Sequence, residues 1–371
     1  MSFFYFANGE YIISKNNLIE NFSTSIINDE DTSENENLLK KYETYANKHL
    51  GTLSLYKVAK EENLNFSVKE NSEILIYYKN RELSYYNGII KLKENNNNIT
   101  LNDIKKVKFH EDKIRSLNFM NKFNIPTPKR YYDFNKKDID YKSIIDKEKI
   151  LFPCVIKQSD GYKSDNVFVD IKSYSNLMDK IYFLKSKNII NIIIEDMIIG
   201  QNYRIYVIDD KVIDIVYRGH VHIVGNGSDT IEDLIIKKNK YHDSIKFYRL
   251  NVDKNYVLKK YKNLKYIPKL DEKISLNPIN IPINGAIPER IDISNVHKDN
   301  LDLFSKINKI TGLCYCGIDF ITTDLSKSYK EIKCAINEIN VKSPSLELHY
   351  LSNLNGNVIV AKEIIENILK K

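Results

Sequence analysis

The chain has 371 residues, with 56 Lys and Arg against 49 Asp and Glu, for a net charge of +7. That length exceeds one ordinary domain and leads us to expect two or three domains sharing a cleft. The basic excess is interspersed with acids, so it demands no nucleic-acid partner and leaves small anions such as nucleotides compatible.

The opening segment lacks a basic region and reaches Asn8, Gly9 and Glu10 before an apolar stretch can form. No later run approaches the roughly 18 apolar residues of a membrane helix, so a cytoplasmic protein without signal peptide or membrane partner is expected. Residues 1 to about 100 alternate short apolar runs with Asn-rich breaks, and 74-ILIYY-78 reads as a strand entering a turn. Helical spacing follows over 101–129, with Ile114, Leu117 and Met120 on one face and Pro126 and Pro128 as the stop.

The runs 151-LFPCVIK-157 and 166-NVFVDI-171 read as strands around the loop 158-QSDGYKSD-165, followed by a helix over 173–187 and a strand over 189–196. Residues 204–218 alternate as a hairpin about Asp209 and Asp210. The turn 225-GNGSDTIEDLI-235 opens a helix for which Ser228 or Asp229 is the expected cap, with Glu232 in the first turn. A helix over 299–312 ends at Gly312, and strands over 314–322 and 332–341 follow as hairpin neighbours. The four cysteines, in apolar runs without a CxxC pair, read as reduced core residues.

In the last strand, 336-INEINV-341, Glu338 and Asn340 are two residues apart and so share a face, about 7 Å from each other. Asp319 sits on the expected partner strand. If register sets it opposite, three oxygen donors suited to Mg2+ converge; no His/Cys set competes for a softer metal. The competing reading is the solvated face of an amphipathic strand, and spacing alone favours it.

Several ordered pieces bear on that choice. They are 49-HLGTLSLYKVAKEENL-64 with 74-ILIYYKNRELSYYNG-88, 112-DKIRSLNFMNKFNIPTPK-129, 153-PCVIKQSDG-161, 194-IEDMIIGQNYRIYVIDDKVI-213, 218-RGHVHIVGNGSDTIEDLI-235, 317-GIDFIT-322 and 337-NEIN-340. Their order resembles the ATP-grasp carboxylate–amine ligases, specifically the ATP-grasp part of cyanophycin synthetase and of the bifunctional glutathione-forming enzymes. The resemblance implies an α+β fold in which two α+β subdomains grip ATP after an N-terminal α/β domain, with boundaries at 1–108, 109–198 and 199–371. It implies ATP and Mg2+ as cofactors, two ions by the family's pattern with Mn2+ as a substitute. The implied reaction is amide-bond formation through an acyl phosphate, on amino-acid or short-peptide substrates.

Carried over residue by residue, the resemblance makes Asp319, Glu338 and Asn340 metal ligands and Lys113 and Lys157 phosphate-binding lysines. Gly161 belongs to its phosphate loop. Glu195, Asp196, Met197 and Ile198 form its adenine hinge, with Asn202 beside the ribose. Arg204 matches its arginine after the hinge, Arg218 and His222 lie on its substrate side, and Arg290 completes the expected catalytic arginines as a replacement from outside the family pattern. The chain departs from the family pattern at Ser164 and Asn166, where relatives carry glycines, at Asn202 and Asn226, where they carry acids, and at Asn277, where they carry an arginine that Arg290 would have to replace. An ATP-dependent ligase is therefore the leading expectation, and an ATP-binding protein without turnover the alternative. RNA binding rests on composition alone. Without the second, Mur-ligase-like module of cyanophycin synthetase, one type of bond is expected rather than repeated polymerisation. A homo-oligomer is the default expectation.

Overall fold

The computed structural model describes residues 32–134, 149–159, 166–189, 191–244, 247–278, 284–353 and 356–371. Helices α1 (Thr32–Ala46) and α2 (Leu50–Glu61) precede a meander of five strands, β1 (Asn65–Val68), β2 (Ile74–Tyr78), β3 (Arg81–Tyr86), β4 (Ile89–Glu94) and β5 (Asn97–Ile99), each antiparallel to the next. The period-2 pattern of 74-ILIYY-78 buries Ile74 and Ile76 on one side. The turn between β3 and β4 uses Asn87 and Gly88, both at positive φ (48° and 83°), as a two-residue hairpin requires. The same core takes in Val360, Ile364 and Leu369 from the last helix, α10 (Ile359–Ile364, continued as a π-helical turn over Ile365–Leu369). Residues far apart in the chain thus close one apolar cluster.

The single helix expected over 101–129 is two, α3 (Ile104–Glu111) and α4 (Lys113–Lys122). Asp112 breaks it. Its backbone is extended (φ −76°, ψ 106°) and its carboxylate accepts the Arg115 N–H at 3.0 Å, so it caps α4 and cannot also continue α3. Leu117 and Met120 are buried as expected, and Ile114 is half-buried.

Four strands follow as a sheet in the order β6-β9-β7-β8: β6 (Arg130–Phe134), β7 (Cys154–Gln158), β8 (Val167–Ile171) and β9 (Ile192–Asp196). Helix α5 (Tyr174–Ser186) covers it through Leu177, Ile181 and Leu184.

The second large sheet is antiparallel, ordered β14-β11-β10-β15-β16, and comprises β10 (Gln201–Ile208), β11 (Lys211–Tyr217), β14 (Glu289–Ile291), β15 (Tyr315–Thr322) and β16 (Cys334–Asn340). The β10–β11 hairpin turns at Asp209 and Asp210, both left-handed, as the alternation indicated. Along β10, Tyr203, Ile205 and Val207 face α8 (Lys298–Thr311), where Phe304 meets Phe320 with ring centroids 5.2 Å apart. Tyr206 and Ile208 turn the other way, into the core of the N-terminal meander. Arg204 shares their face. Helix α8 ends at Gly312 with φ 62°.

A smaller unit pairs β12 (His222–Val224) with β13 (Lys273–Ser275) under α6 (Ile231–Ser244) and α7 (Lys254–Leu258). The cap of α6 is neither Ser228 nor Asp229. Thr230 Oγ accepts the Asp233 N–H at 3.1 Å and the Asp233 carboxylate accepts the Thr230 N–H at 3.2 Å, a reciprocal box one residue later than expected. Asp229 instead accepts from Lys237 at 2.5 Å, and Asn226 closes the preceding turn by accepting the N–H groups of Ser228 and Asp229.

Candidate functional site

The ladder of the five-stranded sheet aligns a row of charge. Arg204 on β10 is the direct partner of Asp319 on β15, and Asp319 is the direct partner of Glu338 on β16. Directly paired residues point to one face, so the register sets Asp319 on the side that spacing gives Glu338 and Asn340. A bulge between Asp319 and Phe320 leaves Asn337 as the extra residue of β16.

Asp319 is 2% exposed and accepts three N–H groups: Arg204 Nε at 2.5 Å, Arg204 Nη2 at 3.3 Å and Arg218 Nη1 at 3.2 Å. Burial by itself would raise its pKa, but the Arg204 and Arg218 charges outweigh it and hold the carboxyl below its ordinary value. Arg204 Nη1 also donates to the Pro344 carbonyl at 2.9 Å, which fixes the loop after β16. The Asn340 side chain beside Asp319 acts on the same carboxyl and lowers its pKa further. Glu338 is more open, with 32% of its side chain exposed, and lies 3.7 Å from Lys113 Nζ at the start of α4.

Across the cleft, Lys157 on β7 is buried (6% exposed) and ion-paired to Glu195 on β9 (3% exposed). The pair is adjacent because Val155 is the ladder partner of Glu195 and Lys157 that of Ile193. Lys157 Nζ also reaches Asn337 Oδ1 at 3.4 Å, which joins the two sheets at β16. Asp196 accepts from the Tyr131 hydroxyl and lies 3.7 Å from Lys333 Nζ. Met197 and Ile198 are half-buried in the irregular segment between β9 and β10.

Not every expected residue joins this centre. Arg290, the ladder partner of Val216, donates to Asp214 at 2.8 Å; Asp214 is fully buried and also takes His349 at 2.8 Å and Asn357 at 3.1 Å. Asn277 is buried and donates to the Asn251 carbonyl at 3.1 Å within the small β12–β13 unit. His222, also in that unit, is half-buried beside the His220 carbonyl at 3.0 Å, and burial lowers its pKa. Gly161 and Ser164 lie outside the described residues. Asn166, at the far end of their loop, adopts φ 55°, the left-handed conformation that made Asn an acceptable replacement for glycine there; its amide donates to Gln158 at 2.9 Å.

Sequence reasoning missed Asn337 and the Pro344 carbonyl. The first depends on a one-residue bulge that strict alternation hides, and the second on a loop carbonyl whose partner is 140 residues away.

The donor set suits the expected ligands. Among the described residues, buried polar atoms without a hydrogen-bond partner include Glu195 Oε2, Asn202 Oδ1 and Arg218 Nε, all in this cleft. Buried polar groups are ordinarily satisfied, so these three ask for a polar ligand. No three His, Cys, Asp or Glu side chains among the described residues gather as a self-sufficient metal site. Two carboxylates and an amide instead match Mg2+, which draws further oxygens from a nucleotide.

Residues 110–222 match the family model described as the RimK-like ATP-grasp domain. That stretch of the chain is similar to ATP-grasp domains. Relatives of that domain include cyanophycin synthetase of Trichormus variabilis, 29% identical over 208 residues that span 53% of this chain and 22% of that protein. A second relative is the glutathione biosynthesis bifunctional protein of Clostridium perfringens, 25% identical over 399 aligned positions that span 94% of this chain and 48% of that protein. The chain thus spans about half of the longer match and less than a quarter of the other. Among solved structures, the bifunctional glutathione synthetase from Pasteurella multocida superposes with a TM-score of 0.62 at 16% identity, over 91% of this chain and 46% of that one. That likeness extends the ATP-grasp fold beyond the matched domain, and the α+β architecture is the one expected.

Proposed function

We propose that the chain is an ATP-dependent carboxylate–amine ligase acting on amino acids or a short peptide, in which ATP activates a carboxylate as an acyl phosphate and an amine displaces the phosphate. The observation that carries this reading is the meeting of Lys157 and Asn337, 3.4 Å apart, which sets a buried cation of one sheet against the Asp319, Glu338 and Asn340 oxygens of the other. Asp319, Glu338 and Asn340 would hold Mg2+, with two ions in the full site. Mg·ATP, when bound, supplies the phosphoryl group and the metal charge that offsets its oxygens.

The chain's own side chains do the rest. Lys157 and Lys113 place positive charge at the phosphates from β7 and α4. The half-buried Met197 and Ile198, next to the unpaired Glu195 Oε2, form the adenine edge, and Asn202 faces the ribose. Arg204 locks Asp319 from behind, leaving Arg218, with its free buried Nε, to face the reacting carboxylate. Arg290, held on Asp214, is a positioning residue for the β14 edge in this account.

The test is release of ADP and phosphate by the purified chain with Mg2+, ATP and pools of amino acids and dipeptides. Pool-dependent release supports the ligase; background release with every pool, in a protein that ATP still stabilises, selects binding without turnover. The second reading draws its support from Asn277 and Arg290, neither of which offers a free guanidinium where the family pattern has one. No described helix is long and apolar enough to cross a membrane.

A further inference from the structure

Beyond the Arg204–Asp319 pair, the cleft is closed by an acid that none of these assignments uses. Glu347 lies in the first turn of α9 (Leu346–Leu351), three residues after the Pro344 carbonyl that Arg204 holds. Its Oε1 accepts from the Tyr85 hydroxyl at 2.8 Å and lies 3.3 Å from His49 Nε2, so β3 and the cap of α2 both grip it. The approach is close enough that a Cβ on Gly51 would stand 2.1 Å from the Tyr85 oxygen and 2.8 Å from Glu347 Oε1. Despite this clamp, 28% of the Glu347 side chain is exposed. Its charge is also felt at Arg204, where burial is outweighed chiefly by Asp319 with Glu347 adding to it, and at Tyr248, where it adds to the burial that raises the phenol.

We propose that Glu347 is the counter-charge for the ammonium group of the amino-acid or peptide substrate. This rests on the ligase reading above and deepens it. The charges run in an alternating series along the cleft: lysines for phosphates, carboxylates for the metal, Arg218 for the reacting carboxylate, then Glu347. An ammonium with three donors suits a carboxylate that is fixed through one oxygen and open to solvent. A mere tie between α9 and the meander would need only a neutral acceptor.

The experiment follows the melting temperature of the protein saturated with Mg2+ and a non-hydrolysable ATP analogue, in the presence of an amino-acid and dipeptide pool or the same pool N-acetylated. The free pool is expected to raise the melting temperature and the acetylated pool to leave it unchanged. In Glu347→Gln, which keeps an acceptor for Tyr85, the rise caused by the ATP analogue should persist while the half-saturating pool concentration increases about tenfold or more, with Glu347→Asp in between. An acetylated pool as effective as the free one, no response to either pool, or a wild-type response in Glu347→Gln overturns the assignment. If Glu347→Gln does not fold, the two pools on the wild-type protein decide. Absence of any response to the ATP analogue itself refutes the nucleotide site instead, so the two failures are distinguishable.

Discussion

Replacing Lys157 with Met is the obvious probe of the proposed phosphate site, yet the structure predicts a second consequence that must be measured with it. Lys157 and Glu195 are 6% and 3% exposed and paired, and Glu195 Oε2 has no other partner. Removing the ammonium leaves a buried carboxylate uncompensated, at a cost of about 3–5 kcal/mol. Glu195→Gln strands the lysine with only the Asn337 contact at 3.4 Å, at a cost of similar order. The double variant Lys157→Met/Glu195→Gln buries no charge and should lose only about 1–2 kcal/mol, so the two single losses together should exceed the double loss by about 4 kcal/mol or more. Urea denaturation of the four proteins without nucleotide measures it, with equal m-values as the check that the unfolded states match. Stabilisation by Mg·ATP, about 2.7 kcal/mol at a hundredfold excess over Kd, should vanish in both variants that lack Lys157. Single losses that add to within about 0.5 kcal/mol would refute the buried-pair reasoning, and ATP stabilisation that survives in Lys157→Met would refute the phosphate role.

Other outcomes follow from the same geometry. Asp319→Asn should cost about 3 kcal/mol or more, because two guanidiniums lose their counter-charge, whereas Glu338→Gln, one-third exposed, should cost under about 1 kcal/mol and severely weaken Mg2+-dependent ADP release; thermal melts and Mg2+ titrations separate the two. Since Asp319 is held below its ordinary value of 3.8, its contribution is complete above that value and is lost as pH falls through the lower folded-state value. The stability gap between wild type and Asp319→Asn should therefore be flat at neutral pH and close only in acid. His110, buried against Ser116 at 3.1 Å, has its pKa lowered to about 4 by burial and by Lys106; stability should fall as pH drops from 6.5 towards 4, and His110→Gln should flatten that slope in urea melts. Thr230→Ala should cost about 1 kcal/mol by removing the reciprocal cap of α6 without altering ATP stabilisation.

Much of this architecture is legible in the sequence where local chemistry sets it. The 204–218 hairpin, the stop at Gly312, and Glu338 with Asn340 on one face all follow from period-2 alternation or from a backbone conformation that few residues adopt. Asp112 shows where local reading stops, because a helical period runs through it and only the competition of its side chain for the Arg115 N–H breaks the helix. The same competition moved the α6 cap to Thr230. Pairings between distant segments are less accessible still. Lys157 and Glu195 were each assigned to the nucleotide, but their burial as a pair depends on the ladder of β7 with β9. Asn337 enters the site through a bulge, and Glu347 meets Tyr85 across 262 residues. Composition does not carry that information; register does.

The central claim is that a substrate carboxylate is phosphorylated by ATP and then captured by an amine. It is tested most directly by supplying the amino-acid and dipeptide pool with both carboxylate oxygens labelled with oxygen-18, together with Mg·ATP, and weighing the phosphate released. An acyl phosphate breaks at its carbonyl carbon when the amine attacks, so the account predicts one heavy oxygen in each phosphate and one retained in the amide. Unlabelled phosphate, the product of attack by water on ATP, would contradict it.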